Sequence, residues 1–181
     1  MAPESVVLIR HCEKAWANGK KPPDSKGYGC DPPIIETNSV INSLKKLKRI
    51  GFQAERVYSS PFLRCRQTAE IVSKSFEVKN YDIECDLREF LGNQKNRQIE
   101  LDPITRKHLF RSKKQMVETF AEFQRRVQSL SEKDDLFLPG TIIVSHQLVI
   151  KNLVKYLLGE DITINCGEAI VLSFDSSPRA I

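Results

Sequence analysis

The sequence predicts an α/β protein of three layers, α/β/α, in which a mostly parallel central sheet lies between helices on both faces. Two observations support this fold class. Short apolar runs rich in β-branched residues alternate along the chain with longer segments of helical periodicity. Those longer segments also carry start and stop signals for helices. Alternation of this kind favours parallel strands that are covered on both faces.

Five segments are predicted to be strands, because each is short, apolar and enriched in β-branched or aromatic residues. In chain order they are residues 6–9, 56–58, 81–85, 141–144 and 169–174. Helical segments lie between most of them, and such crossover connections are what parallel strands need.

The first predicted helix begins at one of residues 37–39, which are Thr, Asn and Ser and can cap it, and it ends at Gly51. Its apolar face comprises Val40, Leu44, Leu47 and Ile50. A second helix has Pro61 in its first turn and runs through Thr68 and Ile71. We expect these two helices to cover part of the sheet.

A third helix is predicted over residues 148–158, and Gly159 follows it. Residues 92–115 are polar, basic and interrupted by Pro103, whereas a strongly periodic helix begins near Val117. We expect residues 92–115 to form a short cap insertion over the sheet. The length of 181 residues suits one buried core, so residues 1–181 are interpreted as a single domain.

The net charge of +5 is mild support for an anionic partner. The basic cap insertion suits an anionic substrate tail or a nucleic acid backbone, and equally a solvated lid face. Its only aromatic residue is Phe110, so it lacks the interleaved aromatic side chains that stack on bases. Nucleic acid is therefore the weaker interpretation.

The cysteine count and the lengths of the apolar runs together predict where in the cell the protein is located. Five cysteines, an odd number with no C-x-x-C pair, suggest neither a disulfide framework nor a zinc ribbon. No apolar run approaches the ~18 residues of a membrane span, and the first residues lack a secretory signal pattern. We expect a cytoplasmic protein with reduced thiols and no membrane segment.

Reactive side chains follow three of the predicted strands. Arg10 and His11 come at the end of the first strand, and His146 follows the fourth. Arg64 and Arg66 begin the helix after the second strand. Ligands of open parallel sheets bind outside the carboxyl ends of the strands. The sequence therefore predicts an anion site that contains an imidazole nucleophile or base.

Phosphoryl transfer uses this set of groups. Guanidinium groups match phosphate oxygens in bidentate geometry. A neutral imidazole is a competent nucleophile near neutral pH, because its ordinary pKa is about 6.5. A second imidazole and helix N-terminal amides can stabilise charge on the transferring group. This chemistry requires no metal ion or other cofactor.

Four sequence motifs also carry a family resemblance. The stretches "LIRHCEKAW", "YSSPFLRCRQTAEIV", "DLREF" and "IIVSHQ", in this order and spacing, resemble the motifs of the histidine phosphatase superfamily, the phosphoglycerate-mutase-like proteins. Their combination is specific, although each motif alone is weak. Within that superfamily, "RHCEK", "DPPI" and "SSPFLRCRQTA" are most similar to the eukaryotic branch that includes protein-tyrosine and ecdysteroid phosphatases.

The resemblance implies roles for individual residues. It makes His11 the nucleophile that accepts the phosphoryl group, and Arg10 and Arg64 the ligands that hold it. His146 completes the pocket, and Glu89 in "DLREF" matches the acid that protonates the leaving oxygen. From the residue pattern alone, Glu89 could instead pair with an arginine. Arg66 matches no family position and is interpreted as a surface salt-bridging residue.

Three positions depart from the family pattern. Cys12 stands where the family has Gly, and it is either a tolerated small replacement or a reactive thiolate beside arginines. Gln147 replaces a small residue and would either donate to phosphate or crowd it. Asn18 is displaced by one position from a family Asn that binds phosphate. These departures affect rate and substrate more than fold.

The predicted function is hydrolysis of a phosphomonoester, on a small molecule or a phosphoprotein, through a phosphohistidine intermediate. A phosphoglycerate-mutase-type phosphotransferase is the enzymatic alternative, which the short cap insertion disfavours. A weakly active protein that uses the phosphate site for binding or scaffolding is a third possibility, if Cys12 and Gln147 distort the pocket.

Overall fold

The computed structural model of the chain describes residues 5–14, 31–90, 101–111, 118–173 and 176–180. Asn18, one of the predicted phosphate ligands, lies outside these residues. Much of the predicted cap insertion, residues 92–100 and 112–115, also lies outside them.

Six strands within the described residues form one sheet, in the order β3-β2-β4-β1-β5-β6. The strands are β1 Ser5–Arg10, β2 Arg56–Ser59, β3 Asp82–Ile83, β4 Thr141–Ser145, β5 Ala169–Ser173 and β6 Ser176–Ala180. The first four of this spatial order are parallel, whereas β5 and β6 add antiparallel pairs at one side. The predicted α/β class and mostly parallel sheet are confirmed, and β6 is a strand that the sequence pattern missed.

The register aligns the carboxyl ends of three neighbouring strands. Arg10 of β1 is level with Ser145 of β4, and Ser59 of β2 is level with Val144. The backbone N–H of His11 continues the ladder by donating to the Ser145 carbonyl at 3.0 Å. The residues that follow β1, β2 and β4 therefore meet at one edge of the sheet.

Five helices lie within the described residues. They are α1 Asn38–Arg49, α2 Leu63–Phe76, α3 Pro103–Arg111, α4 Phe120–Ser131 and α5 Gln147–Leu158. α1 and α2 pack on one face of the sheet against Val7 and Ile9 of β1, whereas α4 and α5 pack on the other face against Val6 and Leu8. Each fully buried aliphatic side chain contributes about 1.5–3 kcal/mol relative to exposure. This arrangement is the predicted three-layer fold.

Three details of the predicted helices are wrong. Pro61 is not in the first turn of α2 but lies before its N-cap residue, Phe62. Ile50 lies beyond the end of α1 and is 54% exposed, because the chain turns there toward Gly51 with its positive φ of 78°. Pro103 does not interrupt structure but is the first residue of α3, where its missing N–H has no intrahelical acceptor to lose.

The described part of the cap insertion is docked against the turn that precedes α2. Leu101 and Leu109 pack on the fully buried Phe62. The Thr105 hydroxyl donates to the Pro61 carbonyl at 2.8 Å. α3 therefore fixes the backbone just before the first turn of α2.

Arg66 belongs to the same contact and is not the surface residue that was predicted. Its side chain is buried, pairs with Asp102 and donates from Nε to the Pro61 carbonyl at 3.0 Å. It thus joins α2 to the start of α3.

No helix in the described parts of the chain is both long and apolar enough to cross a membrane.

Candidate active site

The structure brings four of the predicted site residues into direct contact. His11 follows β1 and His146 follows β4, with their ring centroids 5.3 Å apart. Arg64 lies in the first turn of α2, and Glu89 lies two residues beyond the short 3-10 turn Cys85–Leu87. All four side chains meet at the carboxyl edge of the sheet.

Arg64 is the centre of this group and is fully buried. Its Nε donates to Nε2 of His11 at 3.2 Å, and its Nη2 lies 3.3 Å from Nδ1 of His146. Nη2 also pairs with the Glu89 carboxylate, and Nη1 lies 3.6 Å from the carboxylate of Asp31. One guanidinium therefore links both histidines to two carboxylates.

The hydrogen bonds of Arg64 fix the tautomers of both histidines. A guanidinium can only donate, so His11 Nε2 and His146 Nδ1 must each present a lone pair. The proton of His11 then lies on Nδ1, which donates to the Cys12 carbonyl at 2.7 Å. The proton of His146 lies on Nε2, which donates to the Ser60 hydroxyl at 2.8 Å. Both imidazoles are neutral in this arrangement.

Burial supports the same protonation state. It lowers the pKa of His11 and that of His146 well below the ordinary value, and the nearby charge of Arg64 lowers both further. Neutral His11 at physiological pH is the form that can act as a nucleophile.

Acidification from pH 7 to pH 5 is expected to destabilise the fold. In this range the unfolded chain binds more protons at His11 and His146 than the folded chain does, so the free energy of unfolding falls with falling pH. Each histidine contributes up to about 1.4 kcal/mol per pH unit below pH 6.5. Urea unfolding at several pH values measures the slope. The variant His146→Gln is expected to show a shallower slope, and an unchanged slope would contradict the assignment.

A pocket of about 580 Å³ opens next to these residues. Its lining comprises Arg10, His11, Glu13, Lys14, Glu89, Phe90, Gln147, Leu148, Lys151, Asn165 and Cys166. Arg64 and His146 are not in this lining because the residues around them bury both almost completely. In this conformation the Glu89 carboxylate pairs with Arg64 on the pocket side.

Arg10 and Gln147 both line this pocket. Arg10 is anchored through Nη1, which donates to the Ile164 carbonyl at 2.9 Å, and its buried Nε has no hydrogen-bond acceptor among the described residues. Gln147 is the exposed first residue of α5, so its side chain is at the pocket wall beside the helix N-terminus.

The interpretation of Cys12 as a reactive thiolate is wrong. Its side chain is fully buried in the core beneath α1 and α2, and burial raises the pKa of its thiol to about 11. Its backbone N–H donates to the Thr68 hydroxyl at 3.0 Å, which holds the strand end against α2. Cys12 is therefore a small core residue whose carbonyl orients His11.

Sequence reasoning missed two residues of the site. Asp31 is fully buried, accepts the N–H of Leu63 at 2.6 Å and lies beside the Arg64 guanidinium. The Ser60 hydroxyl accepts a hydrogen bond from the Nε2–H of His146. Asp31 lies in the quoted "DPPI" motif, but nothing in its spacing indicates that it reaches Arg64. Ser60 follows β2 directly, and its place at a strand end is the signal that would have identified it.

Comparison with known families identifies the class of protein. A sequence profile described as "Histidine phosphatase superfamily (branch 1)" matches residues 6–165, which is most of the chain. The chain therefore belongs to the histidine phosphatase superfamily. A comparison with curated proteins finds no match.

Solved structures share the fold. An ecdysone phosphate phosphatase from Bombix mori, in complex with tungstate, has a TM-score of 0.67 at 16% identity, over 98% of this chain and 92% of that one. A candidate alpha-ribazole-5'-P phosphatase from Escherichia coli has a TM-score of 0.67 at 19% identity, over 98% and 94%. The protein histidine phosphatase SixA, also with tungstate, has a TM-score of 0.56 at 17% identity, over 98% and 94%.

Proposed function

We propose that the chain is a phosphatase that hydrolyses phosphomonoesters without a metal ion, through a phosphohistidine on Nε2 of His11. The observation that carries this proposal is the tautomer of His11. Its Nδ1–H donates to the Cys12 carbonyl, so the Nε2 lone pair is directed at the Arg64 guanidinium, where a phosphoryl group would be held.

In the first step, Arg64 and Arg10 bind the phosphoryl oxygens of the substrate. The Nε2 lone pair of His11 attacks phosphorus in line, and the bond from phosphorus to the ester oxygen breaks. Glu89, in its carboxylic acid form, gives its proton to the departing oxygen. The alcohol leaves, and the phosphorus–nitrogen bond holds the phosphoryl group on His11.

In the second step, the Glu89 carboxylate takes a proton from a water molecule that attacks phosphorus. The phosphorus–nitrogen bond breaks, inorganic phosphate forms and His11 returns to the neutral imidazole. The buried positive charge of Arg64 stabilises the transferring group in both steps, because it is already fixed before the reaction begins.

The ion pair between Arg64 and Glu89 gives this cycle a specific starting point. Substrate oxygens must replace the Glu89 carboxylate on Nη2 of Arg64 for phosphate to reach the buried guanidinium. The exchange releases Glu89 toward the ester oxygen, and the freed carboxylate takes up a proton from solvent to give the acid form used in the first step. That proton returns to solvent when Glu89 pairs with Arg64 again after the second step. The same contact thus supports both interpretations of Glu89, as an ion-pair partner before binding and as an acid after it.

The substrate proposed is a phosphorylated small molecule or a phosphoprotein. The pocket combines the cations Lys14 and Lys151 with the apolar side chains of Phe90 and Leu148, so it suits an anionic ester with an apolar portion. The names of the ecdysone phosphate phosphatase and of the protein histidine phosphatase SixA describe one substrate of each kind.

The proposal is tested with p-nitrophenyl phosphate in the presence of a chelator, followed by rapid quenching with a labelled substrate. We expect turnover that resists the chelator and a phosphoenzyme that survives alkali but not acid, as a phosphohistidine does. Turnover that stops with the chelator, or an acid-stable phosphoenzyme, would overturn the mechanism. Binding of a phosphopeptide in stoichiometric amounts without product release would instead support a binding protein.

A further inference from the structure

Side chains hold the backbone of the loop that carries Glu89, and three of their four contacts come from outside the loop. Four consecutive backbone carbonyls, those of residues 85–88, accept hydrogen bonds from side chains. The Cys85 carbonyl accepts a hydrogen bond from Nη1 of Arg88, and the Leu87 carbonyl accepts one from the Ser145 hydroxyl. Nη1 of Arg126 donates to the other two carbonyls, those of Asp86 and Arg88. We call residues 85–89 the acid loop.

Arg126 of α4 makes two of these contacts, one of them to the carbonyl of the residue directly before Glu89. The distance from Nη1 of Arg126 to that carbonyl oxygen, which belongs to Arg88, is 3.2 Å. A hydrogen bond to a carbonyl from a charged donor is roughly twice as strong as one from a neutral donor. Arg126 therefore fixes the peptide from which the Glu89 side chain extends.

The Arg126 guanidinium is itself fixed on its other side. Nε donates to the Glu118 carboxylate at 3.0 Å, and Nη2 pairs with the same carboxylate. Glu118 is only 6% exposed and also accepts from Nη2 of Arg88 at 3.2 Å. The guanidinium carbon lies 5.1 Å from the centroid of the Phe123 ring. With its other nitrogens engaged in this way, Arg126 presents Nη1 to the acid loop in one orientation.

The residue after Glu89 is anchored to the same helix. The ring of Phe90 packs against that of Phe123, with centroids 5.0 Å apart, and against that of Phe120 at 5.7 Å. α4 thus holds the chain immediately before and immediately after Glu89. A general acid needs this precision, because it must lie within hydrogen-bond reach of the leaving oxygen.

We propose that Arg126 is a positioning residue for the reaction, which acts through Glu89 by fixing the acid loop on α4. The proposal rests on the function proposed above, in which Glu89 protonates the leaving group. Lysine cannot replace Arg126 in this role. A single ammonium lacks the planar fork that spans Glu118 and two carbonyls at once.

The test compares two substrates with each variant. p-Nitrophenyl phosphate has a leaving group that departs without a proton, whereas glycerol 2-phosphate has an alkoxide that needs one. For Arg126→Lys, we expect the ratio of kcat/KM for p-nitrophenyl phosphate to that for glycerol 2-phosphate to rise about tenfold or more. A displaced Glu89 slows only the substrate whose leaving group needs its proton, which is glycerol 2-phosphate. A ratio measured on one preparation does not depend on the fraction of folded enzyme.

Two further variants separate positioning from general damage. Arg125→Lys, at an exposed position next to Arg126 on α4, is the matched control and should leave the ratio unchanged. Glu89→Gln should raise the ratio most, and the double variant Glu89→Gln with Arg126→Lys should match Glu89→Gln alone, since the two residues act as one unit.

Each remaining outcome overturns a defined part of the proposal. If Arg126→Lys lowers both substrates equally, or adds fully to Glu89→Gln, then Arg126 has only a structural role and the proposed phosphatase mechanism stands. If Glu89→Gln leaves the ratio at the wild-type value, the acid role of Glu89 fails and the positioning role of Arg126 fails with it.

Discussion

His11→Ala is expected to lower the turnover of phosphomonoesters by at least about 10³-fold, because it removes the atom that forms the covalent intermediate. Steady-state release of p-nitrophenol measures the loss. The acid-labile phosphoenzyme should disappear at the same time. The substituted chain should remain folded, since the deleted ring makes one hydrogen bond to the neighbouring Cys12 carbonyl and one to Arg64.

His108→Ala is the matched control for this substitution. His108 lies half-buried on α3, and its side chain takes no part in the proposed reaction. It should keep wild-type turnover. A His11→Ala enzyme that still forms an acid-labile phosphoenzyme would show that another residue is the nucleophile.

Arg64→Met is expected to remove both turnover and a large part of the stability. The fully buried carboxylate of Asp31 would lose the cation beside it, and breaking a buried ion pair from one side costs about 3–5 kcal/mol. Loss of the charge that stabilises the transferring phosphoryl group should lower kcat by about 10²-fold or more. Urea unfolding and p-nitrophenyl phosphate turnover measure the two effects.

Two comparison variants distinguish these effects. Arg66→Met breaks the buried pair with Asp102 on the same helix, so it should lower stability while leaving the chemistry in place. The double variant Arg64→Met with Asp31→Asn should regain much of the lost stability and none of the activity, because it removes the uncompensated charge. A double variant as unstable as Arg64→Met would show that the charge of Asp31 is not the cause.

The sequence was sufficient to predict the sheet edge on which the site lies. His11 and His146 directly follow apolar strands, and Arg64 starts the helix after another strand, so chain position alone predicts their convergence. The burial of Arg64 was not predictable in the same way. The burial of Arg64 depends on the Asp31 carboxylate, which lies on a loop whose sequence has no periodic pattern.

Contacts to backbone carbonyls were also beyond sequence reasoning. Arg126 belongs to a periodic helix, so the pattern places it on α4 but does not show that it reaches the acid loop. β6 was missed for a related reason. Its sequence "SSPRA" is polar and contains Pro178, and such a composition is typical of a loop. Its pairing with β5 is decided by tertiary structure.

The strand order of the sheet also determines when the site can form during folding. β4 pairs with both β1 and β2, so β1 has no parallel neighbour and β2 has only β3 until residues 141–145 are in place. Before that point, the strand that ends in Arg10 and His11 lacks this partner, and such edges are prone to wrong pairing. Long-range pairing of this kind is slow. If the proposed activity is used as the readout of a refolding experiment, its return is therefore expected to follow the insertion of β4 between β1 and β2.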